Sequence, residues 1–267
     1  MDVGFLRAST LEFGQPNVGT DRVVKSYDGY ESYLLVVDET SKHVWMFLTD
    51  SKEPLTETVA AFLYRHGHKD GGMIRCDKGG KLARSEEFCT RVLKECDFVV
   101  EPTGADDPAQ NGGVETWNGT FAVTVSALLY GAALLAIYWS AALLHAVFLH
   151  NLRVHSRIGK TPHEAWYGSQ PDIKRPRMFG SRVYVKHSGR CRAKLDKHNF
   201  SGIFIGYTGT MKNVRYVNLT TGLVKMCGHT TFDEAWYGPR ARPPAAQLLC
   251  DLGLAPDKEE PTLQPAT

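Results

Sequence analysis

The chain has 267 residues, of which 43% are hydrophobic and 22% charged, and its formal net charge is +2. This is the composition of an ordinary globular protein long enough to bury a core in one large domain, or in a medium domain with a small companion. The near-neutral balance excludes any binding argument from overall charge. Six cysteines (76, 89, 96, 191, 227 and 250) form no C-x-x-C pair, which argues against a zinc ribbon or redox motif and fits free thiols in a reducing compartment. There is no basic-then-apolar leader, so no secretory signal is expected.

Residues 1–30 carry scattered Gly, Pro, Asn and Asp and are expected to be mostly irregular. Residues 33–38 (YLLVVD) and 44–48 (VWMFL) are apolar runs of strand length around a polar turn, which predicts a hairpin. Residues 53–66 have helical spacing at Val59, Phe62 and Leu63 and stop at Gly67. A short strand is predicted over 72–76 and a helix over 85–96, with Phe88, Val92 and Leu93 on one face. Residues 98–100 are too brief to assign alone. A loop dense in Asp, Pro, Asn and Gly follows over 102–113, and a helix is predicted to open near Val114. This alternation indicates a mixed α/β layer fold.

Residues 127–149 have the length and apolarity of a transmembrane helix. His145 and the mid-segment Tyr138 and Trp139 oppose that reading, and residues 131–136 offer a break between two buried helices. Beyond Gly180 the pattern becomes β, with short runs at 183–185, 203–207, 214–217 and 229–232, as in a small barrel or meander. From Gly238 the chain is Pro/Ala-rich, a linker or tail.

Charge is unevenly distributed. Residues 150–200 carry twelve Lys/Arg against three acids, and residues 50–115 carry thirteen acids against nine Lys/Arg. That arrangement suits a metal site beside a phosphate-binding surface, and it equally suits two unrelated solvated faces. Asp77, in Arg75-Cys76-Asp77-Lys78-Gly79-Gly80, sits at a strand-end turn. Glu115, in Gln110-Asn111-Gly112-Gly113-Val114-Glu115, sits at a helix start. Carboxylates so presented suit a hard divalent cation once a third acid completes the set. Asp77 also reads as a plain turn residue, and Glu115 as a first-turn acid complementing the helix dipole.

Several ordered motifs carry a resemblance. They are residues 33–38 with Ser41 and Trp45, Arg75-Cys76-Asp77 with Gly79-Gly80, and Gln110-Asn111-Gly112 with Glu115. Tyr138-Trp139, Lys160-Thr161-Pro162-His163-Glu164, Phe179-Gly180 and Lys194-Leu195-Asp196 follow, then residues 202–207 (GIFIGY) and 231–234 (TFDE). In this order they resemble the integrase region of a copia-type long terminal repeat retrotransposon Pol polyprotein, over about residues 2–237. The resemblance implies a ribonuclease H-like mixed sheet with flanking helices over 1–170, a small SH3-like β-barrel over 178–237 and a tail over 238–267.

It further implies a triad of Asp2, Asp77 and Glu115 holding two Mg²⁺ or Mn²⁺ ions, Asp2 and Asp77 on one and Asp2 and Glu115 on the other. Asp38 matches an acid outside the triad. The implied activity is 3′-end processing and strand transfer, with DNA ends and target DNA as partners. A homo-oligomer, no membrane partner and an intracellular, nuclear site of action are expected with it. Lys78, Lys81, Asn118, Lys174, Arg175, Arg177, Arg190, Arg192 and Lys194 are the expected nucleic-acid contacts.

Two departures bear on activity. Only Met1 precedes Asp2, so a fragment or degenerate copy with a weakened first strand is expected. Lys78 and Lys81 stand where the family carries Asn and Glu, and their ammonium groups favour a phosphate while opposing a cation. A non-catalytic nucleic-acid-binding remnant is the second reading, and a membrane association through 127–149 the third.

Overall fold

The computed structural model describes residues 1–4, 6–8, 22–51, 55–67, 70–77, 81–103, 108–173, 176–186, 199–208 and 210–235. The chain divides into two compact units, residues 1–130 with 134–176, and residues 131–133 with 177–267. The first unit opens with the short strands β1 (Asp2–Gly4), β2 (Arg7–Ala8) and β3 (Arg22–Val23). Strands β4 (Ser32–Val37) and β5 (Val44–Thr49) follow, then helix α1 (Thr56–His66), β6 (Gly72–Asp77), α2 (Lys81–Arg84), α3 (Glu86–Cys96) and β7 (Phe98–Thr103). Helix α4 (Pro108–Gly131), a 3-10 turn (Ala136–Tyr138), α5 (Trp139–Leu152) and α6 (Pro162–Tyr167) complete it.

The predicted hairpin is present: β4 pairs antiparallel with β5, Val37 opposite Val44. Side chains alternate across a strand. Leu34 and Val36 of β4 enter a core with Val59 and Leu63 of α1, Ile74 and Cys76 of β6, and Phe88 and Val92 of α3. Tyr33, next to Leu34, takes the other face, its ring 6.3 Å from that of Trp139 in α5. A strand covered on both faces accounts for the unbroken apolar run in β4. Helix α3 starts where Ser85 Oγ accepts the Phe88 N–H at 3.2 Å.

Strand β1 is the edge of a three-stranded antiparallel sheet, β1-β4-β5. It pairs antiparallel with β4, Asp2 opposite Leu35. On its other side, Met1 N donates to the Arg75 carbonyl of β6 at 2.5 Å, and Met1 packs on the same core as Ile74 and Cys76. Strand β6 in turn pairs with β7 in parallel. The bond therefore links the antiparallel set β5-β4-β1 to the parallel pair β6-β7. At the far side, Asn151 of α5 closes the edge of β5: its Nδ2 donates to the Val44 carbonyl at 2.8 Å and its Oδ1 accepts the Val44 N–H at 3.0 Å. Both backbone groups that the ladder leaves open at Val44 are thus satisfied.

Two expectations are refined. Residues 1–30, expected to be mostly irregular, hold short strands, since β1 pairs with β4, and β2 pairs with β3 with Arg7 opposite Val23. Strands of two or three residues show no periodicity; distant partners supply their bonds. The loop predicted over 102–113 is shorter, since β7 runs to Thr103 and α4 opens at Pro108. Proline suits a first helical position, having a preset φ and no N–H to lose. The Gly112-Gly113 pair is carried inside the helix, at about 1 kcal/mol each relative to alanine.

The apolar stretch over 127–149 is broken. Helix α4 ends at Gly131, Ala133 takes a left-handed φ of 51°, and α5 begins at Trp139. Among the described residues no helix is long and apolar enough to cross a membrane. Between Glu115 and Arg153 there is no Asp, Glu, Lys or Arg. On the exposed side of α4, Thr120, Thr124 and Ser126 donate their hydroxyls to the carbonyls of Thr116, Thr120 and Ala122 at 2.8–3.0 Å.

The second unit is a five-stranded antiparallel sheet. Its strands are β8 (Arg182–Lys186), β9 (Asn199–Thr208), β10 (Thr210–Asn218), β11 (Val224–Cys227) and β12 (Thr230–Asp233), in the order β11-β10-β9-β8-β12. The four predicted strands are present. Strand β11 escaped prediction because four residues with Lys225 in their midst are too short a run to show an alternation. Val183, Val185 and Tyr216 form its core. Gly202 is required there, since a Cβ would meet the Tyr216 ring and lie 2.7 Å from the Val217 carbonyl oxygen.

Candidate metal and nucleic-acid site

The three predicted acids fall on β1, β6 and α4 of the first unit. Asp2 follows directly after the residue whose N–H joins β1 to β6, and Asp77 closes β6 two residues beyond the accepting Arg75. Glu115 belongs to α4. The side chains of all three lie outside the described residues. Helix α4 is held to the sheet one turn past Glu115, where the Tyr33 hydroxyl donates to Asn118 Oδ1 at 3.3 Å. Tyr33 is opposite Gly4 in the register that sets Leu35 opposite Asp2, so the bond to α4 leaves β4 two positions from the partner of Asp2. Asn118 thus has a partner on β4 in addition to its expected nucleic-acid contact.

Asp38, which the resemblance sets outside the expected triad, has a structural task. Its Oδ2 accepts the Ser41 N–H at 2.6 Å and the Ser41 hydroxyl at 2.7 Å, shaping the turn from β4 to β5. The motif Lys160-Thr161-Pro162-His163-Glu164 is likewise a helix start. Thr161 Oγ1 accepts the Glu164 N–H at 3.0 Å, Pro162 opens α6, and Gly168 ends it at a φ of 71°.

Of the predicted basic contacts, Lys78, Lys174, Arg175, Arg190, Arg192 and Lys194 lie outside the described residues, as does the side chain of Lys81 at the start of α2. Arg177 is engaged within the second unit. Its guanidinium is 3.7 Å from Glu234 and 5.3 Å from the Phe232 ring centroid, while Glu234 also accepts the Met178 N–H. An ion pair this exposed contributes about 0–1 kcal/mol, so the guanidinium is readily shared with an incoming anion. Among the described residues, no three His, Cys, Asp or Glu side chains are grouped to hold a metal ion.

Two imidazoles are sequestered in the first unit. His43 sits with its ring 4.3 Å from that of Trp45 and 5.6 Å from that of Tyr167, and His145 is buried in α5. Burial lowers both, first and foremost, to about 4; at His43 the neighbouring His163 and His150 add to it while Asp38 opposes. The folded state therefore binds fewer protons than the unfolded one between pH 6.5 and 4. Stability is full above the ordinary histidine range and is lost as pH falls through this window. Each imidazole contributes a slope of up to about 1.4 kcal/mol per pH unit. Urea unfolding at pH 7.0 and 5.0 is expected to give the lower free energy at 5.0; equal values would contradict the burial of both rings.

Residues 181–243 match the family described as the retroviral polymerase SH3-like domain. Retrovirus-related Pol polyproteins of transposons are homologues of the chain over most of its length. That from transposon RE1 of Arabidopsis thaliana is 25% identical over 228 residues, which is 84% of this chain and 15% of the relative. That from transposon RE2 of the same organism is 22% identical over 231 residues, 85% of this chain and 16% of the relative. The chain thus spans about 15% of the length of these relatives. Among solved structures, a chain of the simian T-cell lymphotropic virus intasome in complex with PP2A regulatory subunit B56 gamma is similar. It is 15% identical, with a TM-score of 0.42, covering 85% of this chain and 74% of that one.

Proposed function

We propose that the chain is the integrase segment of a copia-type Pol polyprotein, a DNA-binding protein that joins DNA by metal-dependent phosphoryl transfer. The observation that carries this reading is the strand arrangement. Strand β1, with Asp2, pairs with β4, and Met1 just before it bonds the Arg75 carbonyl of β6, the strand that Asp77 closes; the Tyr33–Asn118 bond ties the helix carrying Glu115 to β4. This arrangement supports a ribonuclease H-like core over 1–170, followed by an SH3-like barrel over 178–237 and a tail from 238.

Three carboxylates and no thiol or imidazole form a donor set suited to Mg²⁺ or Mn²⁺. Two such ions, when bound, activate the attacking water or 3′-hydroxyl and stabilise the leaving oxygen of an in-line displacement. Asp2, Asp77 and Glu115 act as ligands and exchange no protons. Tyr33 and Asn118 hold α4 in position. Lys78, Lys81 and the basic residues Lys174, Arg175, Arg177, Arg190, Arg192 and Lys194 contact the phosphate backbone, binding strongly but reading little sequence. Strand transfer into two strands of target DNA calls for two sites, hence a homo-oligomer, acting in the nucleus.

The test is strand transfer. The purified chain is incubated with a labelled duplex and Mg²⁺ or Mn²⁺, beside Glu115→Gln and an EDTA control. Joined or nicked product that requires both metal and Glu115 is the expected result. No product, with salt-sensitive DNA binding retained, would instead leave a folded remnant that keeps the DNA surface and has lost the chemistry.

A further inference from the structure

A basic surface lies within the first unit, on residues other than the Lys/Arg-rich stretch over 174–194. It is built around His155. The residues 155–160 form a tight bridged turn in which His155 N–H donates to the Lys160 carbonyl at 2.9 Å and Gly159 N–H to the His155 carbonyl at 2.9 Å. Gly159 takes a φ of 67°, a conformation that costs glycine little. The Arg157 N–H donates to His155 Nδ1 at 3.3 Å, which fixes the ring as an acceptor there. Arg153 ends α5, its N–H shared between the Leu149 and His150 carbonyls. From the β4–β5 turn comes Lys42, whose carbonyl lies 3.1 Å from His150 Nε2.

The charges around this ring are of one sign. The His155 imidazole is held below its ordinary value by burial, and then by Lys42, Arg157 and Arg153, with no carboxylate acting in the other direction. Arg153, Arg157 and Lys160 are exposed, Lys42 half-buried. Among the described residues none of the four pairs with a carboxylate, although Lys25, Arg75, Arg91 and Arg177 all do. Like charges gathered without counter-charge repel one another, so an anion is the complement that relieves them. One wall of the surface is Trp117 of α4, its ring 4.6 Å from His150 and 6.1 Å from His155. Trp117 is two residues from Glu115, so the surface adjoins the part of α4 that carries the third acid.

We propose that Lys42, Arg153, Arg157 and Lys160 bind the phosphate backbone of a DNA duplex beside the Glu115 end of α4. The inference rests on the DNA-joining reading for the identity of its polyanion. Four cations spread over two connections match a run of regularly spaced phosphates better than a single anion. The residues carry no base-reading geometry, so the contact is independent of sequence.

Duplex binding by the full chain, measured by fluorescence anisotropy in EDTA across a salt series, tests it. Each phosphate neutralised contributes about −0.9 to the slope of log affinity against log salt. Each of Arg153→Gln, Arg157→Gln and Lys160→Gln is expected to lose up to about 0.9 of that slope, and the triple variant about 2–3, with affinity near 0.1 M salt falling about 100- to 1000-fold. The double variant Arg153→Lys, Arg157→Lys keeps charge and is expected to keep the slope. Slopes unchanged in all the glutamine variants would overturn the proposal, as would loss of slope in the charge-retaining one. Because no metal is present, the result separates from the strand-transfer test. Joined product with unchanged slopes sinks this surface alone, and reduced slopes without product sink the chemistry alone.

Discussion

Phe88→Ala is expected to lower the unfolding free energy by about 3–5 kcal/mol, the range for deleting a buried aromatic ring. Phe88 is fully buried and belongs to the core that runs beneath both β4 and β6. Those strands belong to two separately paired sets, β1-β4-β5 and β6-β7, joined through Met1 and Arg75. Removing the ring thus opens a cavity under the junction as well as weakening the seat of α3. Phe88→Leu, which keeps most of the volume, is expected to cost much less, about 1–1.5 kcal/mol. Urea unfolding decides it: a loss under about 1 kcal/mol for the alanine variant would mean that α3 is not a main support of the sheet.

Mg²⁺ at one hundred times its dissociation constant is expected to stabilise the folded chain by about 2.7 kcal/mol. For a protein of this size that corresponds to a rise of about 5–10 °C in the melting temperature. Asp77→Asn is expected to abolish the rise. It should also raise the melting temperature of the metal-free chain, because the proposed triad sets three like charges at one site and without a cation they repel one another. The two opposite effects of a single substitution distinguish a ligand from a plain turn residue. A variant with the parent's Mg²⁺ response would remove Asp77 from the metal site, and a parent with no response would remove the site itself. Neither readout depends on finding the correct DNA substrate.

The parts of the fold that announced themselves in the sequence are those stabilised locally. The β4–β5 hairpin, α1 ending at Gly67 and α3 capped by Ser85 each carry their apolar period and their stop signal within a dozen residues. What escaped is held by partners far along the chain. Strand β1 owes its existence to β4 and to the Arg75 carbonyl, and no pattern in three residues announces that. The early start of α4 was hidden by Gly112-Gly113, which read as loop until Pro108 is seen opening the helix.

The candidate acids come from the resemblance, and their side chains lie outside the described residues; the contact made by Asn118 beside them had no signal in the sequence. Asn118 was assigned to nucleic acid, and the Tyr33 bond that engages it spans 85 positions in sequence. Several motif residues proved to be architectural: Thr161 and Pro162 start a helix, Asp38 and Ser41 make a turn, and Gly202 leaves room for Tyr216. Such positions mark a shared fold and say nothing on their own about whether the chemistry persists.

The stretch between Glu115 and Arg153 has a consequence for the life of the chain outside its native state. It supplies α4 and α5, and it contains no group that is charged at neutral pH apart from what its histidines bind. Charges flanking apolar segments ordinarily act as gatekeepers against self-association. Here the gatekeeping falls to tertiary structure alone: the Trp139 ring under Tyr33, the Asn151 clasp on Val44, and hydroxyls turned back onto the helix that bears them. A ribosome releasing this chain exposes the uncharged span before α6 and the β-rich unit have been made. The order of synthesis therefore favours early docking of α5 onto the finished β4–β5 hairpin, whose residues emerge a hundred positions ahead of it.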